Sequence, residues 1–132
     1  MKTKTIKKNL KSLGYTPNLD DYKKITHEFS YNEAKKEIEF YKGRLNAAYN
    51  AVERHTHTLR KNKIALYWTD GSGQNEKYTF TELNDKANQF ANMLESLKVV
   101  RGDRVFFFLT RVPQLYYGFL GTLKTGAIAG TM

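Results

Sequence analysis

The chain has 132 residues, of which 40% are hydrophobic and 27% charged, with a formal net charge of +9 and no cysteine. That is one domain's worth of sequence, able to bury roughly two-thirds of its unfolded surface, and its composition is that of a globular protein rather than a disordered one. The lack of cysteine excludes disulfides and thiolate metal sites, and no apolar run approaches the roughly 20 residues of a membrane-spanning helix.

The charge is unevenly spread. Lys2, Lys4, Lys7, Lys8 and Lys11 all precede the first acid, Asp20. Taking those five away leaves about +4, which is ordinary for a soluble domain. Basic tails bind phosphate backbones without sequence preference, but a solvated terminus explains this one more simply, and nucleic acid is not an expected partner. No apolar segment of signal-peptide type follows the basic start, so a cytoplasmic location is the default. Residues 1–30 read as a basic N-terminal arm, with Pro17 in a turn and Leu10, Leu13, Tyr15 and Ile25 available to pack across a larger body.

From Tyr31 the pattern becomes helical. Ser30 and Glu33 have the spacing of a capping box, in which each side chain satisfies a backbone N–H of the other. Tyr31, Ala34, Ile38 and Tyr41 would share one face, and Gly43 breaks the pattern. A second helix is predicted from Leu45 to about His55, with Leu45, Ala48, Tyr49 and Val52 on its apolar side.

Lys63 to Phe80 predicts a β-hairpin closed at Asp70-Gly71-Ser72-Gly73, since Asp-Gly between two strand-like runs is a strong turn signal. A long helix follows, opened by a second capping box at Thr79 and Glu82 and by a Tyr78–Leu83 hydrophobic staple. Leu83, Ala87, Phe90, Ala91, Leu94 and Leu97 mark its buried face, and Asp85, Lys86, Asn88, Asn92 and Glu95 its exposed one.

After a turn at Gly102-Asp103, Val105 to Leu109 is an unbroken apolar run, as expected of a parallel strand covered on both faces. Pro113 suits the first turn of a helix. Leu115, Phe119, Leu120 and Leu123 recur at helical spacing, and Gly126 suits the left-handed position that ends it. Ala127 to Gly130 would be the next strand, joined to the first by a right-handed crossover.

Candidate chemistry is sparse. The Asp70–Gly73 turn joins two strands, whereas a phosphate cradle needs glycines running into a helix N-terminus. Gly121 to Gly126 has its lysine before the second glycine, which is not P-loop spacing. His55 and His57 lack a third ligand for a metal. Phe106-Phe107-Phe108 reads as sheet core, because no basic residues interleave with it to form a platform for bases. Lys124-Thr125-Gly126 matches part of a β-lactamase motif without its Ser-x-x-Lys. No catalytic, cofactor-binding or metal-binding residue is assigned.

As a string, the chain resembles a known family. Ala48 to His55 resembles a helix ending in Glu-Arg-His or Asp-Arg-His. Lys63 to Trp68, Asp70-Gly71 and Lys77 to Leu83 resemble that family's hairpin and its Thr-x-x-Glu-Leu helix. Asn88, Ala91 and Leu94, then Val99 to Val105, Arg111 to Leu115 and Leu123 to Ala129, follow in the family's order and spacing. The set is similar to the AMP-forming acyl-CoA synthetase superfamily, and most so to its acetyl-CoA synthetase branch.

The resemblance implies an α/β fold: N-terminal helices, a β-hairpin and a β-α-β unit with parallel strands. Residues 31–132 would be the truncated first part of the large N-terminal AMP-binding domain. The parent ligase would use ATP and Mg2+ to turn acetate, or another short carboxylate, into an acyl-adenylate, and would then transfer the acyl group to coenzyme A. The family's phosphate loop ending in Gly-Lys-Pro-Lys-Gly is absent here, as are its adenine and ribose motifs and its C-terminal lysine. Gln114 stands where glutamate is common, and Thr131 where proline is frequent. The fragment is therefore expected to be inactive and ligand-free by itself, with the rest of the parent as its partner. Two other readings remain: a stand-alone interaction or regulatory remnant of a truncated synthetase, and a basic nucleic-acid-binding module.

Overall fold

The computed structural model describes Gly14 and residues 21–132. The packing proposed for Leu10, Leu13 and Tyr15 and the turn at Pro17 lie outside the described residues. By its internal contacts the chain divides into two compact units, residues 1–37 and 38–132.

In the first unit, helix α1 (Tyr22–Glu28) is capped by Asp21, whose Oδ1 accepts from the Lys24 N–H at 3.0 Å. Helix α2 (Tyr31–Ala34) begins at Ser30, but the expected reciprocal box is replaced by a simpler cap. Ser30 Oγ accepts from the N–H of Asn32 at 3.2 Å, while Glu33 pairs with Lys36 at 2.7 Å. The helix tightens into a 3₁₀ turn over Lys35–Glu37 and does not continue to Gly43.

The second unit opens where that longer helix was expected, with a small antiparallel hairpin, β1 (Phe40–Tyr41) and β2 (Arg44–Leu45). Lys42 and Gly43 both take positive φ, 49° and 73°. This is what a tight two-residue hairpin of the right twist requires, and it cannot be accommodated in a helix. Tyr41 leaves the predicted apolar face and stacks on Tyr49, with ring centroids 5.0 Å apart.

The second predicted helix is present as a π-helical segment, Tyr49–Glu53, running into α3 (Arg54–Thr56). Ala48 and Val52 are buried as expected, whereas Leu45 belongs to β2 and is exposed. The predicted hairpin forms from β3 (Ile64–Thr69) and β4 (Asn75–Thr79), with a register shift between Ile64 and Leu66.

Helix α4 (Phe80–Ser96) carries the complete Thr79–Glu82 capping box. The Thr79 N–H donates to Glu82 at 2.8 Å, and the Glu82 N–H donates back to Thr79 Oγ1 at 3.2 Å. The Thr79 N–H, and after it the Thr79 hydroxyl, which also donates to Glu82 Oε2 at 2.8 Å, hold the Glu82 carboxyl below its usual range. Leu83, Ala87, Ala91 and Leu94 are buried, but Leu97 is exposed. The helix ends at Ser96, and Lys98 adopts φ 64°. The Val99 N–H reaches back to the Leu94 carbonyl at 3.0 Å in the closure typical of a left-handed C-terminal cap, which turns Leu97 off the buried face.

Strands β5 (Arg104–Phe107) and β6 (Ile128–Thr131) pair in parallel, Val105 opposite Ala129 and Phe106 opposite Gly130. Between them runs α5 (Pro113–Thr125), with proline at its start and Gly126 at φ 82° as its left-handed end. Where α4 and α5 meet, the chain uses small residues: Ala87 and Ala91 on one helix, Gly118, Gly121 and Thr122 on the other, all buried. Without side-chain bulk the helix backbones approach closely. A Cβ on Gly121 would lie 2.6 Å from the Ala87 carbonyl oxygen.

The helices cover one face of β5–β6. Phe107 points into that packing, 5% exposed and 5.8 Å from the Phe90 ring. Phe106 and Phe108 are 61% and 85% exposed, so the strand is not covered on both faces within this chain as expected. Alternation along a strand sends neighbouring side chains to opposite faces, and in 38–132 only one face has helices upon it.

Candidate functional site

The structure brings together four polar side chains that the sequence reading did not combine. Lys124, in the last turn of α5, donates from Nζ to Glu53 Oε2 at 2.5 Å, to Asn84 Oδ1 at 2.8 Å and to Asn88 Oδ1 at 2.7 Å. Its side chain is 11% exposed and that of Glu53 28%. An ammonium has three donors, so this one is fully used, and the cluster pins α4, α5 and the π-helical segment at one point. Asn46 adds a further tie, its Nδ2 donating to the Leu123 carbonyl at 2.8 Å.

Asn88, expected on the exposed side of α4, is half-buried within this cluster. A signal for it was available: Asn84 and Asn88 stand one helical turn apart beside an apolar face, and Lys124 lies in an otherwise apolar helix. Every donor on Lys124 is spent within the protein, so the arrangement holds helices together and leaves the ammonium no free donor.

Other candidate positions resolve into structural roles. In the β3–β4 turn, Asp70 Oδ1 accepts from the backbone N–H groups of Ser72 at 2.9 Å and Gln74 at 2.8 Å, and from Ser72 Oγ at 2.8 Å. The Ser72 hydroxyl foremost, aided by the turn's N–H groups, holds the Asp70 carboxyl below its usual range. The turn's donors thus serve its own carboxylate rather than an outside anion. Gly121 to Gly126 lies within and at the end of α5, as its spacing implied.

His55 packs on Phe80 with ring centroids 4.9 Å apart. Burial, reinforced by the charges of Arg54 and Arg60, lowers its pKa from 6.5. Among the described residues, no three His, Asp or Glu side chains gather to hold a metal. No described helix is long and apolar enough to cross a membrane.

Two of the concavities among the described residues border α5. One is an apolar groove lined by Leu66, Leu83, Leu115, Phe119 and Leu120, at the junction of the β3–β4 hairpin with α4 and α5. The other is a polar cleft of ≈ 580 Å³ between the β1–β2 hairpin and the C-terminal end of α5, bordered by Lys42, Arg44 and Arg101.

A model of the AMP-binding enzyme family matches residues 52–132. The acetyl-coenzyme A synthetase of Bacillus subtilis (strain 168) is 44% identical over 117 residues, covering 87% of this chain and 20% of that protein. That of Leptospira biflexa serovar Patoc is 38% identical over 109 residues, covering 81% of this chain and 17% of that protein. This chain thus spans about a fifth of the length of these relatives. Among solved structures, a Brucella canis acyl-CoA synthetase superposes with a TM-score of 0.73 at 28% identity, over 84% of this chain and 20% of that one. The match runs from Val52 in the π-helical segment through the capped α4 to the last residue of the β5–α5–β6 unit, and the chain belongs to the AMP-binding enzyme family.

Proposed function

We propose that this chain serves an acetate–CoA ligase as the opening part of its AMP-binding domain, and that it is catalytically inert alone. The observation carrying this reading is the 44% identity over 117 residues to an acetyl-coenzyme A synthetase. In the parent enzyme, ATP would activate acetate as acetyl-adenylate with loss of pyrophosphate, and the thiol of coenzyme A would then take the acetyl group. Magnesium would neutralise charge on the departing pyrophosphate.

The chain's own contribution is mechanical. It would pack one flank of the sheet that carries the nucleotide site, held in shape by the Lys124 cluster and the close α4–α5 contact. The bare face of β5–β6, with Phe106 on it and Phe108 just past the strand, is suited to further sheet and helix from the remainder of the enzyme, since parallel strands are normally covered on both sides.

Two measurements test the reading together. The purified chain should give no acetate-dependent exchange of pyrophosphate into ATP above a blank. A chimera in which residues 31–132 replace the matching segment of the Bacillus subtilis enzyme should exchange, with acetate preferred over longer carboxylates. Exchange by the chain alone refutes its inertness. A folded chimera that never exchanges refutes the role in the ligase.

A further inference from the structure

The cleft beside the β1–β2 hairpin gathers cations without any acid. Lys42 and Arg44 project from the hairpin, Arg101 from the turn before β5, and all three are exposed. Among the described residues, no Asp or Glu lines the cleft. No described carboxylate is seen in an ion pair with any of these three cations. Like charges around a concavity repel one another and raise the local potential, an arrangement that favours an anion.

Part of the site is already held in place. The stem of Arg101 lies along Gly126, with Cγ 3.1 Å from where a Cβ on that glycine would sit, and the residue is exposed. Lys42 rests over Tyr41, its Nζ 5.2 Å from the ring centroid, and Tyr41 is stacked on Tyr49. One feature opposes an anion: the cleft meets the C-terminal end of α5, where helix carbonyls concentrate negative charge. That end is satisfied in part from within. The Leu123 carbonyl accepts from Asn46 Nδ2 at 2.8 Å and from the Gly126 N–H at 3.1 Å, and the Gly126 carbonyl accepts from the Gly102 N–H at 3.2 Å.

We infer that this cleft binds a small molecule bearing a diphosphate, clasped between Lys42 and Arg44 on the hairpin and Arg101 opposite. Its ≈ 580 Å³ suits a small ligand rather than a polymer. Several cations on two walls match a group with charge at both ends better than a single phosphate. Tyr41, already engaged by Tyr49 and Lys42, is not a free platform for stacking a base. The inference does not depend on acetate being the parent's substrate, so either reading can fail alone.

The test is isothermal titration of the full chain with inorganic pyrophosphate at 50 and 200 mM salt. Saturable one-to-one binding, weaker at the higher salt, is the expected result. Arg44→Ala and Arg101→Ala should each weaken it about tenfold, the scale of one charge-assisted hydrogen bond. Arg44 sits on an exposed hairpin where truncation leaves the core intact, and circular dichroism verifies each variant's fold. Lys86→Ala on α4, and Lys7→Ser with Lys8→Ser in the basic arm, should bind as the parent does. ADP binding as tightly as pyrophosphate assigns recognition to the diphosphate alone, and ADP binding tenfold tighter extends it to the nucleoside. Equal losses at Lys86 or in the arm, AMP binding as tightly as pyrophosphate, or a single-stranded oligonucleotide displacing pyrophosphate at lower concentration each overturns the proposal.

Discussion

Replacing Gly121 with alanine should destabilise the chain even though alanine is the better helix former. A Cβ there would lie 2.6 Å from the Ala87 carbonyl oxygen, 3.0 Å from Phe90 Cβ and 3.1 Å from the Ala91 nitrogen. Carbon contacts are comfortable at roughly 3.5–4.0 Å. Two of the three atoms are α4 backbone, so no side-chain rotation gives relief and the helices must part by on the order of 1 Å. Overpacking of this kind costs about 1–3 kcal/mol, and the backbone contact places it at the upper end. Relief of glycine's backbone entropy returns about 1 kcal/mol. The net loss is then about 2 kcal/mol, or roughly 8 °C in the unfolding midpoint for a domain of this size. Thermal unfolding followed by far-ultraviolet circular dichroism measures it, with urea unfolding as a check on the slope. Gly118→Ala is the control: its Cβ would meet the Phe107 ring at 2.8 Å, and a ring can tilt where a carbonyl cannot. Gly121→Ala unfolding at or above the parent temperature, or a larger loss for Gly118→Ala, would refute the close-approach argument.

Lys124→Met should cost about 3 kcal/mol in urea unfolding, because it strands the partly buried Glu53 carboxylate along with Asn84 and Asn88. Adding Glu53→Gln should recover a good part of that loss, and a double-mutant cycle with no coupling would mean the cluster is not a unit. His55 is held below its ordinary pKa of 6.5 by burial and then by Arg54 and Arg60, so the unfolded chain binds its proton more readily than the folded one. Stability should therefore fall as pH drops below 6.5 and level off once pH passes below the folded-state value. His55→Gln should flatten that part of the profile, and a resonance assigned to His55 that titrates at or above 6.5 in the folded chain would contradict the assignment.

The elements legible in the sequence are those set by neighbours a few residues apart. The Thr79–Glu82 box joins residues three positions apart, and it started α4 where expected. Pro113 and Gly126 likewise bracketed α5, and Asp70-Gly71 placed the β3–β4 turn. The family, too, was legible, because motif order and spacing are properties of the string.

One misreading was local: Tyr31 to Tyr41 has helical periodicity, yet Phe40 pairs with Leu45 only five residues on, and the positive φ of Lys42 and Gly43 turns the chain into a hairpin. Others came where a distant partner decided the outcome. Phe106 and Phe107 are the same residue type side by side, and only the position of α4 and α5 determines which ring is buried. Glu53, Asn84, Asn88 and Lys124 look individually like solvated polar positions. Lys124 lies 71 residues from Glu53 along the chain, and the two form an ion pair only after three helices have packed. Local hydrogen bonds and turn conformations depend on a few dihedral angles within one segment, and composition records them directly. Burial and charge pairing depend on which surfaces meet after loop closure, so in this protein the capped helices and turns were written in the sequence, while the buried lysine cluster and the acid-free cleft exist only through the tertiary fold.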